Sequence, residues 1–212
     1  GDQNITGLLT IINKDNDALD ISGNTITNGN SFINGNLSVK GITNITGDNR
    51  IKGNTIHDGN MLNKGNFDVI GESKLIGNTN ISGEIINITG NQNIYGDTKQ
   101  IGNSSFTGNL DLTGNTNITG ITNLNGSLNH VGNSIITGNL DLTGNSNLNG
   151  NTNIIGNTIN LTGSTNIDGN TKITGTTNID GKSIIKGDLD IIGNSNFNGN
   201  TNIKGTTINL TG

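Results

Sequence analysis

A chain of 212 residues with 28% hydrophobic and 2% aromatic content and a net charge of −5 has too little large apolar material for an ordinary globular core. No Lys or Arg occurs from Gln100 to Thr171, which argues against the basic stripe that holds nucleic-acid phosphates and the polybasic patch of a membrane-surface binder. Cysteine is absent, so no disulfide framework or thiolate metal site forms. No apolar run approaches the roughly 20 residues of a membrane-spanning helix.

The first stretch differs from the rest. Residues 8–22 contain no glycine. Residues 8–12 (Leu-Leu-Thr-Ile-Ile) predict a strand, 13–17 a turn and 18–21 the first strand of a repeat. Asp15, Asp17 and Asp20 suggest a calcium loop, but the EF-hand pattern needs a glycine at its sixth position and a glutamate at its twelfth, and neither is present. A solvated turn is the expectation. The chain divides into an irregular lead-in or cap over 1–22 and one continuous repeat region over 23–212. Because it starts and stops in mid-repeat, it reads as a segment of something longer, with tip or anchor domains outside it.

From Gly23 onward every glycine follows the last by six residues, except for three seven-residue steps ending at Gly90, Gly163 and Gly212. Of the 33 glycines after Gly1, 28 have Ile, Leu, Val or Phe two positions earlier, as with Ile45, Leu112, Ile118 and Ile179. An apolar residue every six positions drifts around a helix, yet six is three strand periods, so successive anchors face the same way along short strands. The residue two before each anchor shares its face and is mostly Thr or Ser, with Leu37, Phe67, Leu110, Leu140 and Leu189 among the large exceptions. Asn-x-Asn pairs such as Asn78 and Asn80, Asn115 and Asn117, or Asn151 and Asn153 take the outward slots. Glycine supplies the corner conformation that a β-branched residue resists.

Three such hexads closing a turn give the predicted fold: all-β, a parallel β-solenoid of triangular section with 18 to 19 residues per turn. The pairs Leu19 and Leu37, Phe67 and Ile86, Leu110 and Leu128, Leu140 and Ile159, and Leu189 and Ile208 are 18 or 19 residues apart. That spacing stacks them in adjacent turns of a single coil rather than in an interleaved trimer. In five hexads the apolar residue is displaced by one place: Ile26, Ile56 and Leu62 lie early, Ile101 and Val131 late. Local bulges that still deliver these residues to the core are expected there.

No residue is nominated as catalytic, cofactor-binding or metal-ligating. The only histidines, His57 and His130, are twelve hexads apart, roughly 19 Å along the coil. They cannot share a metal, and each is expected to face solvent. Phosphate-cradling glycine motifs need a strand leading into a helix, and no helix is predicted. Sequons such as Asn44, Asn80, Asn87 and Asn160 follow from composition, and scattered aromatic residues offer no stacking platform.

Runs such as 108–120 (Gly-Asn-Leu-Asp-Leu-Thr-Gly-Asn-Thr-Asn-Ile-Thr-Gly), with the lead-in over 11–23, resemble the glycine-hexad repeat regions of phage and large-virus fibre proteins. That resemblance implies a non-enzymatic structural role as a stiff shaft or spacer, self-association, and a place on a virion surface or outside the cell. The rhythm also resembles hexapeptide-repeat solenoids, although glycine comes one residue later here and the acyltransferases' long loops and C-terminal helix are lacking. Resemblance to the bactofilin type of β-helix implies end-to-end filaments. The asparagine-rich coils are similar to those of a plant antifreeze protein, which implies ice binding through outward Asn and Thr ladders as the alternative function.

Overall fold

The structure, a computed structural model, describes residues 1–12 and 19–212; the turn expected over 13–17, with Asp15 and Asp17, lies outside them. The described residues form short strands and corners, and all the strands belong to one sheet. Each strand is four residues long in its regular form. Thr116–Thr119 shows the alternation: Thr116 and Ile118 are buried, while Asn117 and Thr119 are exposed. This is the half-buried strand pattern that the period of two demands.

The chain winds into about 11 turns of a parallel β-solenoid. One face stacks Thr25–Asn28, Thr43–Thr46 and Met61–Lys64 and continues through Thr116–Thr119 and Ser134–Thr137. The second stacks Asn49–Lys52 on Phe67–Ile70 and, further along, Thr122–Asn125 on Leu140–Thr143. The third carries Thr55–Asp58, Ser73–Ile76, Leu110–Thr113, Leu128–Val131 and Ser146–Asn149. Inward residues from all three faces form one axial cluster. The lead-in joins the same sheet: Gln3–Thr6 lies in parallel register on Thr25–Asn28, and 9–12 on 31–34.

Every one of the five long-spaced apolar pairs is in register. Leu19 lies against Leu37, Phe67 against Ile86, Leu110 against Leu128, Leu140 against Ile159, and Leu189 against Ile208. Each hexad therefore stacks on the hexad three places away in the same chain. Backbone N–H groups at the corners donate to the next turn, as from Gly120 to Thr137 O at 2.8 Å and from Thr122 to Asn139 O at 2.9 Å.

Corners are held by two devices. Gly120 has φ +131°, and a Cβ built on it would lie 2.3 Å from Gly102 O in the turn beneath. Only glycine fits a corner stacked on another corner. The second device is the asparagine that follows many of the glycines. Asn109 Oδ1 accepts from Ser127 N at 3.0 Å, and Asn151 Oδ1 from Asn170 N at 3.1 Å. Aspartate does the same work at Asp48 and Asp97. In the seven-residue steps the extra residue sits at the corner. Asn139 Oδ1 there accepts from both Asn157 N (3.0 Å) and Thr158 N (3.1 Å), and the ladder resumes at Ile159.

The five displaced hexads do not bulge, contrary to expectation. Their strands keep full register, so Ile26, Ile56, Ile101 and Val131 stay outside at 40 to 53% exposure, with Leu62 half-buried. The inward slot is filled instead by Thr27, His57, Asn63, Gln100 and His130, all buried. The reason lies in the corners. Slipping a hexad by one residue would bring a Cβ against the carbonyl of the turn beneath and reverse the sides of the strand. One polar residue inside costs less than that.

Candidate functional site

Both histidines are 2% exposed, which corrects the expectation that they face solvent. His57 Nε2 lies 2.8 Å from Thr43 Oγ1 across the inside of a corner. His130 Nε2 lies 3.1 Å from both Gly114 O and Thr116 Oγ1, and its Nδ1 is 2.9 Å from Ser134 Oγ. A carbonyl only accepts, so Nε2 of His130 carries the proton and Nδ1 accepts from Ser134. The imidazole is neutral. Burial lowers the pKa of both rings, opposed at His57 by the Gly59 backbone and Asp58, and at His130 by the Gly114 carbonyl. A core void of about 30 Å³ beside His130 is lined by Leu112, Leu124, Leu142, Thr116, Thr122 and Ser134, among others.

Two of the other inward polar residues are braced locally. Asn63 Nδ2 donates to Gly65 O at 2.8 Å, and Gln100 Nε2 donates to Ser104 Oγ. The Thr122 hydroxyl is buried without a partner, as are those of Thr27, Thr55, Thr79 and Thr98. Among the described residues no group of three or more His, Asp or Glu side chains could hold a metal, and no helix is long and apolar enough to cross a membrane.

Each face presents its own chemistry. On the third face Asn129 Nδ2 donates to Asp111 Oδ1 (2.7 Å), Asn147 to Asn129 (2.8 Å) and Asn166 to Asn147 (2.9 Å), an amide ladder along the axis. The second face carries two outward rows: Asn87, Ser105, Asn123, Asp141 and Asn160 in one, Thr89, Thr107, Asn125, Thr143 and Thr162 in the other. Over these five turns neither row contains a lysine, an arginine or a large apolar residue, whereas the preceding turns bring Asp68 and Arg50 into the first row and Ile70 and Lys52 into the second. The first face is mixed, with Ile135, Ile155 and Ile192 exposed among Asn80, Lys99, Asn117, Asn153 and Lys172.

Two shallow grooves run along the first face beside its leading corner, with volumes of about 580 and 590 Å³. Asn80, Asp97 and Lys99 border one; Asn153, Asn170 and Lys172 border the other. They meet at Asn133 and Ile135. Along this corner an unbroken series of Asn and Asp oxygens, from Asn60 to Asp188, accepts backbone N–H groups of the next turn. Asp188 closes the series. Its pKa is lowered by the Thr206 hydroxyl and the Thr207 and Thr206 N–H groups.

No family model, curated protein or solved structure matches this chain. The surfaces therefore carry the functional reading by themselves. The sequence had pointed to the outward Asn-x-Asn slots. It did not show the outward threonine row of the second face, the buried His–Thr pairs, or the grooves, because these depend on which residues lie one turn apart.

Proposed function

We propose that this chain is a non-enzymatic structural rod: a rigid shaft or spacer, or a filament-forming segment, of a fibre or surface appendage. The observation that carries the reading is the uninterrupted column. Turn is joined to turn by backbone hydrogen bonds on all three faces, and the core is one axial cluster. Among the described residues nothing larger than a hexad corner projects from it, so bending the rod means breaking ladders on a whole face at once. About 11 turns at strand spacing make a rod of roughly 50 to 55 Å. Small-angle scattering with light scattering tests this. A rod of that length at 21.9 kDa, or rods whose mass grows end to end with concentration, fits the proposal. A compact or disordered scattering profile overturns it, and a trimer about three times as long overturns the single coil.

A second reading, ice binding, is favoured by one observation: over the five turns from Asn87 to Asn160 the second face sets a row of mainly Asn beside a row of mainly Thr at the regular strand spacings, with no lysine or arginine in that stretch. An ice-recrystallisation assay decides it. Inhibition that Thr143→Lys abolishes supports ice binding by this face, and the absence of inhibition removes it.

A further inference from the structure

The two grooves of the first face are copies of one another. Adding 73 to Asn78, Asn80, Thr98 and Lys99 gives Asn151, Asn153, Thr171 and Lys172, which take the same places in the second groove. The same step carries Thr43 and His57 to Thr116 and His130. Seventy-three residues are four turns, so the grooves repeat at roughly 19 Å and join end to end at Ile135.

Their walls are alike at these positions and differ where Asp97, Asn115 and Asn117 of the first groove are answered by Asn170, Asp188 and Asp190 of the second. In the corner row, Asn78 Oδ1 and Asn151 Oδ1 each accept a backbone N–H, from Asp97 and Asn170, at 3.1 Å. That fixes each amide plane and leaves Nδ2 to donate outward. The facing row offers Asn80, Asn117 and Asn153 with two lysines, neither of which is ion-paired among the described residues. Asp97 in the first groove, and Asp188 and Asp190 in the second, offset the lysine charge. An anionic polymer is therefore not favoured. What fits is an extended neutral chain, rich in both donors and acceptors, with apolar ring edges for Ile135 and the lysine stems.

We propose that this continuous groove is a binding site for a linear neutral saccharide lying parallel to the solenoid axis, its hydroxyl groups on the two amide rows. The proposal does not depend on the shaft reading, since an isolated rod of any role carries the same groove. Binding is weak per site and gains from the two copies acting on one chain.

The test is an NMR titration of the whole chain with cellohexaose, maltohexaose and laminarihexaose in turn at millimolar concentration, with hexagalacturonate as the charged control. The proposal expects at least one neutral probe to shift the side-chain amides of Asn80, Asn117 and Asn153 in a saturable way. Asn117→Arg and Asn153→Arg, both outward-facing, should each remove one copy, and together weaken binding roughly tenfold or more. Circular dichroism confirms that the variants fold. Shifts spread equally over Asn123 and Asn160 of the second face, no shift with any neutral probe, or a response to hexagalacturonate alone would each overturn the proposal.

Discussion

The imidazole of His57 reaches the hydroxyl of Thr43 at 2.8 Å inside the prism, and His130 meets Thr116 at 3.1 Å four turns further along. Inward residues around both rings come from Leu37, Val39, Met61, Asn63, Ser73 and Leu75 in one case and Leu112, Leu128, Ser134 and Leu148 in the other. None of these is titratable, and the Asp58 carboxylate, which raises the His57 pKa from outside the core, is outweighed by burial. The folded pKa is depressed below the unfolded value of about 6.5. The unfolded chain therefore binds more protons as pH falls below that value. Stability is full above it and is lost as pH drops towards the folded pKa, by at most about 1.4 kcal/mol per pH unit for each histidine. Urea midpoints measured between neutral pH and pH 5 should show this slope. His57→Leu with His130→Leu should flatten it, and an unchanged slope would mean that the rings do not carry it.

Corner asparagines act as acceptors, and the chain itself uses aspartate in the same place at Asp48 and Asp97. Asn151→Asp should thus leave the thermal midpoint nearly unchanged. Asn151→Ala strips the acceptor from Asn170 N and should cost about 1 kcal/mol. Equal effects of the two substitutions would show that the ladder contributes nothing.

Gly120→Ala faces a harder limit. Its φ is +131°, and the new Cβ would lie 2.3 Å from Gly102 O and 2.6 Å from Gly102 C, both backbone atoms that cannot swing away. Strain and displacement together should cost about 3 kcal/mol or more. A loss below about 1 kcal/mol in denaturant titration would show that neighbouring turns can separate freely at a corner.

The Thr122 hydroxyl is buried without a partner beside the 30 Å³ void. Valine has nearly the same shape and no polar atom, so Thr122→Val should stabilise by about 1 kcal/mol. Destabilisation would reveal a hydroxyl partner, such as a buried water.

The coil was legible because its information is local. Six residues per glycine set strand length and corner position, and the spacing of Leu110 and Leu128 or Phe67 and Ile86 closed three hexads into a turn. What sequence reasoning missed depends on contacts between turns. Hydrophobic matching alone would slide the hexads of Ile56 and Val131 to bring those residues inside. The veto comes from glycine corners stacked eighteen residues apart, which no window of one hexad contains. Grooves and outward rows were hidden for the same reason: Lys99 is a neighbour of Asn80 and Asn117 only once the turn length, including its seven-residue steps, is known.

Deletions test the stacking rule as a whole. Removing residues 121–138 takes out one full turn and joins Gly120 to Asn139, so Leu140 moves into the place of Thr122 and every corner still lies over a corner. That variant should fold with strand content intact and a rod shorter by roughly 5 Å. Removing 121–139 instead joins Gly120 to Leu140 and leaves a hexad one residue short. Leu140 and Leu142 then lose their inward slots, and every later strand must either reverse its faces or break the corner stack. Circular dichroism and proteolysis should find the second variant opened from that turn onward. If both variants protect equally well, the corners do not set the register.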